Sequence, residues 1–207
     1  MDPSIARLFT ANAQWSKAVN KAEPDFFAKS AEGQSPKVLW IGCADSRVPE
    51  SVLTASRPGD IFVHRNIANQ FPLEDDNALS VLTYAVDHLG VEHVVVVGHT
   101  SCGGAAACYQ ASLDPDSAHS EPTTALGRWL APLTALAISL GLADVPNKAD
   151  ALAALVEANV KAQVKNVCAT APIVEAWAKG RVWVHGWVYD LNSGSLKDLG
   201  VSRGPSA

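Results

Sequence analysis

Three short apolar runs constrain this chain more than anything else in it: KVLWIG at 37–42, DIFVH at 60–64 and HVVVVG at 93–98. None alternates polar with apolar as a half-exposed strand would; near-continuous β-branched runs of this length are strands buried on both faces. Between the last two lies NALSVLTYAVDHLG, residues 77–90, with a capping residue in front, apolar residues at helical spacing and a glycine to close it. Strand, helix, strand in that order predicts a parallel sheet with a crossover helix.

The remaining segments extend that plan. SIARLFTANAQWSKAV predicts an N-terminal helix, after which Pro24 and AEGQSP punctuate a loop. Residues 114–124 read as a polar connection, followed by helical stretches at about 125–140 and 148–170 and a shorter one in APIVEAWAKG. RVWVHGWVYDLNSGSL alternates and turns like late sheet strands. The expected fold is α/β: a single domain over 1–207, with a mostly parallel central sheet flanked by helices over 35–199 and an N-terminal helical arm and loop over 1–34.

With 48% apolar residues among 207, the chain can bury a core of that size. Sixteen basic against 21 acidic side chains leave a net charge of −5, which offers no electrostatic footprint for nucleic acid or an anionic membrane. The expected partner is a small molecule. The N-terminus lacks an apolar signal core and no stretch approaches the roughly 18 apolar residues of a membrane helix, so a cytoplasmic protein is expected. In a reducing compartment Cys43, Cys102, Cys108 and Cys168 are metal ligands, catalytic groups or core residues before they are disulfides.

Ligands of open parallel sheets gather outside the carboxyl ends of the strands. Cys43 follows the first apolar run, and GHTSCGG at 98–104 follows the third, so two strand ends offer Cys43, His99 and Cys102. Two thiolates and an imidazole suit zinc, and three protein ligands leave a fourth position open, as in catalytic sites. H-x-x-C spacing alone also fits buried cysteines acting as small hydrophobes. The glycines after Cys102 open a small-residue helix whose free N–H groups suit an anionic oxygen.

CADSR at 43–47 and HTSCGG at 99–104 together resemble the two signatures of the β-class carbonic anhydrases. The resemblance continues through HRNIAN at 64–69, YAVDHLGVEHVVVVGH at 84–99 and HGWVYDLNSGSL at 185–196, and so spans about 38–199. It implies an enzyme with one zinc per chain, held by Cys43, His99 and Cys102, in which zinc-bound hydroxide hydrates carbon dioxide reversibly to bicarbonate and a proton. It also implies a catalytic dyad of Asp45 and Arg47, which agrees with the chemistry of a carboxylate kept ionised by a bidentate guanidinium. Ser46 is turn chemistry, since no nucleophile motif surrounds it.

Further roles follow from the same resemblance. Gln34, Tyr84, Phe71 and the Gly103 amide would face the substrate, and His88, one turn after Tyr84, would shuttle protons with an unperturbed pKa near 6.5. Trp40, Arg65 and Tyr189 match a regulatory bicarbonate pocket of one subgroup. The family builds homodimers and dimer-of-dimers tetramers, with the helix at about 4–19 reaching over the partner. Two other readings stand beside this one: a hydrolase of carbon disulfide or a similar cumulene on the same scaffold, and a non-catalytic zinc-stabilised module. A thiol redox module would want C-x-x-C, which the sequence lacks.

Overall fold

The computed structural model describes residues 1–114 and 122–205. Two compact units emerge, residues 1–35 and residues 36 onward. The first holds α1 (Pro3–Ala22), capped by the Asp2 carboxylate accepting from the Ser4 amide at 2.8 Å, and α2 (Phe26–Glu32). The second helix departs from the loop expected there. At seven residues it is too short for a period to show, and its support is aromatic: Phe27 meets Phe26 and Trp15 edge-on with centroids 5.2 and 5.6 Å apart.

The second unit is a five-stranded sheet in the order β2-β1-β3-β4-β5. Strands β1 (Val38–Cys43), β2 (Ile61–Asn66), β3 (His93–His99) and β4 (Trp183–Asp190) run parallel, and β5 (Ser195–Asp198) returns antiparallel to β4. This is the mostly parallel α/β sheet that the apolar runs predict. Along β1 and β3, Leu39, Ile41, Cys43, Val94 and Val96 belong to the main core, whereas Trp40, Val95 and Val97 form a second cluster. That division is the period-2 alternation of strands buried on both faces.

Helix α7 (Lys148–Cys168) packs on β3 and β4. It comes so close that a Cβ built on Gly98 would lie 2.7 Å from Val160 Cγ2. Among the described residues the other α-helices are α3 (Glu50–Leu53), α4 (Asp76–Thr83), α5 (Gly103–Ser112), α6 (Ala125–Ser139) and α8 (Ala171–Ala178). The expected helix over 77–90 is only half α-helical: from Tyr84 to Leu89 it widens into a π-helical turn before Gly90 ends it in the left-handed region at φ 68°. The polar connection expected at 114–124 falls largely on 115–121, outside the described residues. Among the described residues no helix is long and apolar enough to cross a membrane.

Candidate metal centre

β1 and β3 are parallel neighbours, and each ends on a predicted ligand: Cys43 is the last residue of β1 and His99 the last of β3. Cys102 caps the N-terminus of α5, three residues on. Their ligand atoms all lie within 4.8 Å of one another, and the residues are 5%, 1% and 5% exposed for Cys43, His99 and Cys102.

Each donor is prepared for a cation. His99 Nδ1 lies 2.9 Å from the Thr100 carbonyl, which fixes the ring and leaves Nε2 buried with no hydrogen-bond partner. A buried imidazole nitrogen without a partner is costly unless something outside the protein engages it. The two sulfurs share a proton, and Cys43 is favoured as thiolate: the Cys102 thiol bonds to it, and His99 and the amides of Asp45 and Ala68 add to that against the cost of burial. Its pKa falls to about 4. Cys102 is correspondingly pushed up, first by Cys43 and then by burial, although the Ala105 and Gly104 amides at the start of α5 pull the other way. His99 is disfavoured as a cation by burial, yet the neighbouring Cys43 sulfur outweighs that and raises it. A metal ion binding here would deprotonate both sulfurs.

Asp45 sits at the edge of the triangle with Oδ2 3.9 Å from His99 Nε2. Arg47 grips its carboxylate twice, Nε to Oδ1 at 3.0 Å and Nη2 to Oδ2 at 2.7 Å, and adds its backbone amide at 2.9 Å. These bonds hold the Asp45 carboxyl well below the usual carboxylate range. Arg47 is tied in turn to the Ser101 carbonyl at 3.1 Å, which links CADSR to HTSCGG. The two signatures therefore meet in space through a guanidinium as well as through the ligands.

The other predicted residues fall in several places. Trp40 and Tyr189 line a cavity of ≈ 10 Å³ together with Cys43 and His99. That is room for about one water molecule. Arg65 is directed elsewhere: it donates to the carbonyls of Cys43, at 2.8 Å, and Asp45, and approaches Glu50 at 3.8 Å. Together with Ala44 it borders an open groove of ≈ 630 Å³ that also touches His64, Ile67 and Trp129. Gly103 follows Cys102 as the first residue of α5 and is exposed. Tyr84 is 48% exposed and stacks with His88 at 5.3 Å and with Phe62 at 5.8 Å. Phe71 is fully buried in the main core. Gln34 lies in the N-terminal unit, exposed, just beyond α2.

Sequence reasoning missed what stands behind Cys43. The turn Ile67–Asn69 after β2 carries Ala68 and Asn69 at φ 61° and 46°, a left-handed conformation that costs a non-glycine residue about 1 kcal/mol. Buried amides from α7 hold it. Asn159 Nδ2 donates to the Ala68 carbonyl at 2.9 Å, joined there by Gln70 Nε2 at 2.8 Å. Asn159 Oδ1 accepts from Gln70 and Gln163 at 2.7 and 3.0 Å, and Gln163 Oε1 accepts from the Phe71 amide at 2.8 Å. The signal was present: Asn159, Gln163 and Asn166 fall at i, i+4 and i+7 among the apolar residues of α7, a polar stripe on a face that ought to be buried.

Two buried sulfurs and one imidazole within reach of one ion, with a fixed carboxylate beside them, are a donor set that suits zinc. Comparison with known proteins agrees. The carbonic anhydrase family profile matches residues 38–196. A carbonic anhydrase of Emericella nidulans is 39% identical over 198 residues, covering 94% of this chain and 83% of its own, and one of Pseudomonas aeruginosa is 36% identical over 187 residues, covering 88% and 82%. Among solved structures, one of two tetrameric β-carbonic anhydrases from Sordaria macrospora superposes with a TM-score of 0.88 at 36% identity, over 98% of this chain and 100% of its own. The chain belongs to the β-class carbonic anhydrases.

Proposed function

We propose that this enzyme hydrates carbon dioxide reversibly to bicarbonate and a proton, with one zinc ion per chain held by Cys43, His99 and Cys102. The observation that carries the proposal is the buried triangle with the Asp45 carboxylate locked at its edge. Zinc bound there would supply a Lewis acid able to bring the pKa of water down toward about 7.

The protein's own groups do the rest. Asp45, kept ionised by Arg47, accepts a hydrogen bond from the attacking water and so aims the lone pair on its oxygen at the substrate carbon. Because it stays ionised it acts as an acceptor and does not lend a proton. Arg47 holds the carboxylate in place. Gln34, Gly103 and Tyr84 are assigned to substrate contact, whereas Phe71, fully buried in the main core, is left to packing. His88, at the end of its helix and stacked on exposed Tyr84, is assigned to passing protons to buffer. A homodimer or a dimer of dimers is assigned as the assembly, supported by the tetrameric Sordaria relative and by the exposed apolar side chains of α1, Leu8 at 56% and Phe9 at 67%.

Stopped-flow hydration assays with metal content measured on the same sample test the proposal. Cys102→Ser should lose both zinc and activity. Asp45→Asn should keep zinc while hydration falls by orders of magnitude, since the amide is uncharged and cannot pair with Arg47 in the same way. Full zinc without hydration in the unmodified enzyme would overturn the reading in favour of carbon disulfide hydrolysis or a non-catalytic role. For a regulatory bicarbonate pocket, Trp40 and Tyr189 do share one cavity, but it has room for about one water molecule, and Arg65 is occupied by the Cys43 and Asp45 carbonyls. Coincident inhibition by bicarbonate in the enzyme and in Tyr189→Phe would remove it.

A further inference from the structure

A second cavity, of ≈ 420 Å³, lies where α7, α8 and the segment after β5 meet. Its size is within the ~300–1,000 Å³ span of small-molecule sites. Lys161 and Lys165 reach it from α7 and Arg203 from the C-terminal segment, whereas Val164, Trp177 and Val201 make the rest of its wall apolar. No acidic side chain lines it, in a chain whose net charge is −5.

The cations are poorly matched from within. Lys161 approaches Glu157 at 3.7 Å, but Glu157 is drawn closer to Lys197, at 2.7 Å. Among the described residues Lys165 forms no ion pair, and the Arg203 guanidinium donates only to the Ser202 carbonyl, at 3.2 Å. Lys161 and Lys165 stand four apart on one helix, a like-charge pair that weakens the helix unless an anion lies between. The frame around them is firm: Trp177 Nε1 donates to the Val182 carbonyl at 2.9 Å, and paired backbone bonds of 2.7 and 2.8 Å clamp Arg203 against Val184. The Cys168 thiol opens on the same cavity and burial pushes it up to about 11, so it is neutral and adds no negative charge.

We propose that this cavity binds an amphipathic carboxylate, its head between Arg203 and the two lysines and its apolar body against Trp177, Val164 and Val201. A guanidinium fork matches a carboxylate in shape and charge. A bare inorganic anion would leave the apolar wall wet, and an uncharged apolar molecule would leave Lys165 and Arg203 unanswered.

Octanoate is a suitable probe, titrated calorimetrically into the zinc-loaded protein. Lys165→Gln combined with Arg203→Gln should weaken binding by about tenfold or more, because two charge-assisted contacts are lost. Saturating octanoate should slow alkylation of Cys168 by N-ethylmaleimide, read by peptide mass mapping in the unmodified protein, and inorganic phosphate should bind more weakly than octanoate. Equal affinity in the double variant, an unprotected Cys168, or phosphate binding as tightly as octanoate would each overturn the assignment.

Discussion

Replacing Asn159 with leucine removes the middle of the amide network behind the metal centre while nearly conserving volume. Asn159 is 3% exposed, so water cannot replace what it provides. The change takes away one of the two donors to the Ala68 carbonyl and one of the two acceptors of Gln70 Nε2. It also removes the only acceptor that Gln163 Nε2 has among the described residues. One fully stranded donor and two half-satisfied groups in a buried site cost about 2–4 kcal/mol. The apolar atoms of leucine return about 1 kcal/mol, leaving a net loss of about 1–3 kcal/mol. The damage should also reach the metal, because the Ala68 amide that supports the Cys43 thiolate is held in its left-handed turn by this network. Urea unfolding at fixed protein concentration gives the first quantity, and the rate of zinc release to a chelator gives the second. A stability loss under about 0.5 kcal/mol, within the range of surface substitutions, together with unchanged zinc release, would refute the reasoning.

Gly42→Ala should destabilise the protein by about 1–3 kcal/mol through overpacking. The new Cβ would lie 2.5 Å from Trp40 Nε1 and 2.9 Å from its Cδ1, and Trp40 is only 3% exposed; an unchanged melting temperature would mean that the indole moves aside freely. Asp190 should make the protein acid-sensitive in a definite window. The Ser193 hydroxyl, the Asn192 amide and the Thr100 hydroxyl hold its carboxyl down to about 2. A depressed carboxyl contributes stability that is complete above its unfolded value, about 3.9, and disappears as pH falls through the folded one. Between about pH 4 and pH 2 the unmodified protein should therefore lose stability more steeply than Asp190→Asn; parallel curves in acid denaturation would contradict this.

The parts of the molecule legible in the sequence are those whose signal is local. Valine runs such as 93–98 mark buried strands because a strand covered on both faces has no polar positions to interrupt it. Cys43, His99 and Cys102 were legible because each sits at a strand end or helix start, where the direction of the chain puts it. Helix α2 was not, since its stability comes from Trp15 and two adjacent phenylalanines and not from a repeat. The π-helical turn was hidden too, because Tyr84 to Leu89 has the composition of an ordinary helix. Asn159 and Gln163 act on residues about 90 positions away, Ala68 and Phe71, and the stripe they form shows that something polar is buried without saying what it meets.

The pairing of β1 with β3 places Gly42 opposite Val97; Cys43 follows Gly42 by one residue, and His99 follows Val97 by two. Successive residues of a strand face opposite ways, so an alignment displaced by a single residue would swing Cys43 out of the triangle. The ion would then meet two donors and not three. Capture of a metal would thus work as a proofreading step on strand alignment: it would draw the population toward the one pairing that presents all three ligands, by the differential affinity of mass action. A folding defect in the middle of this sheet should announce itself as lost metal before it appears as lost secondary structure.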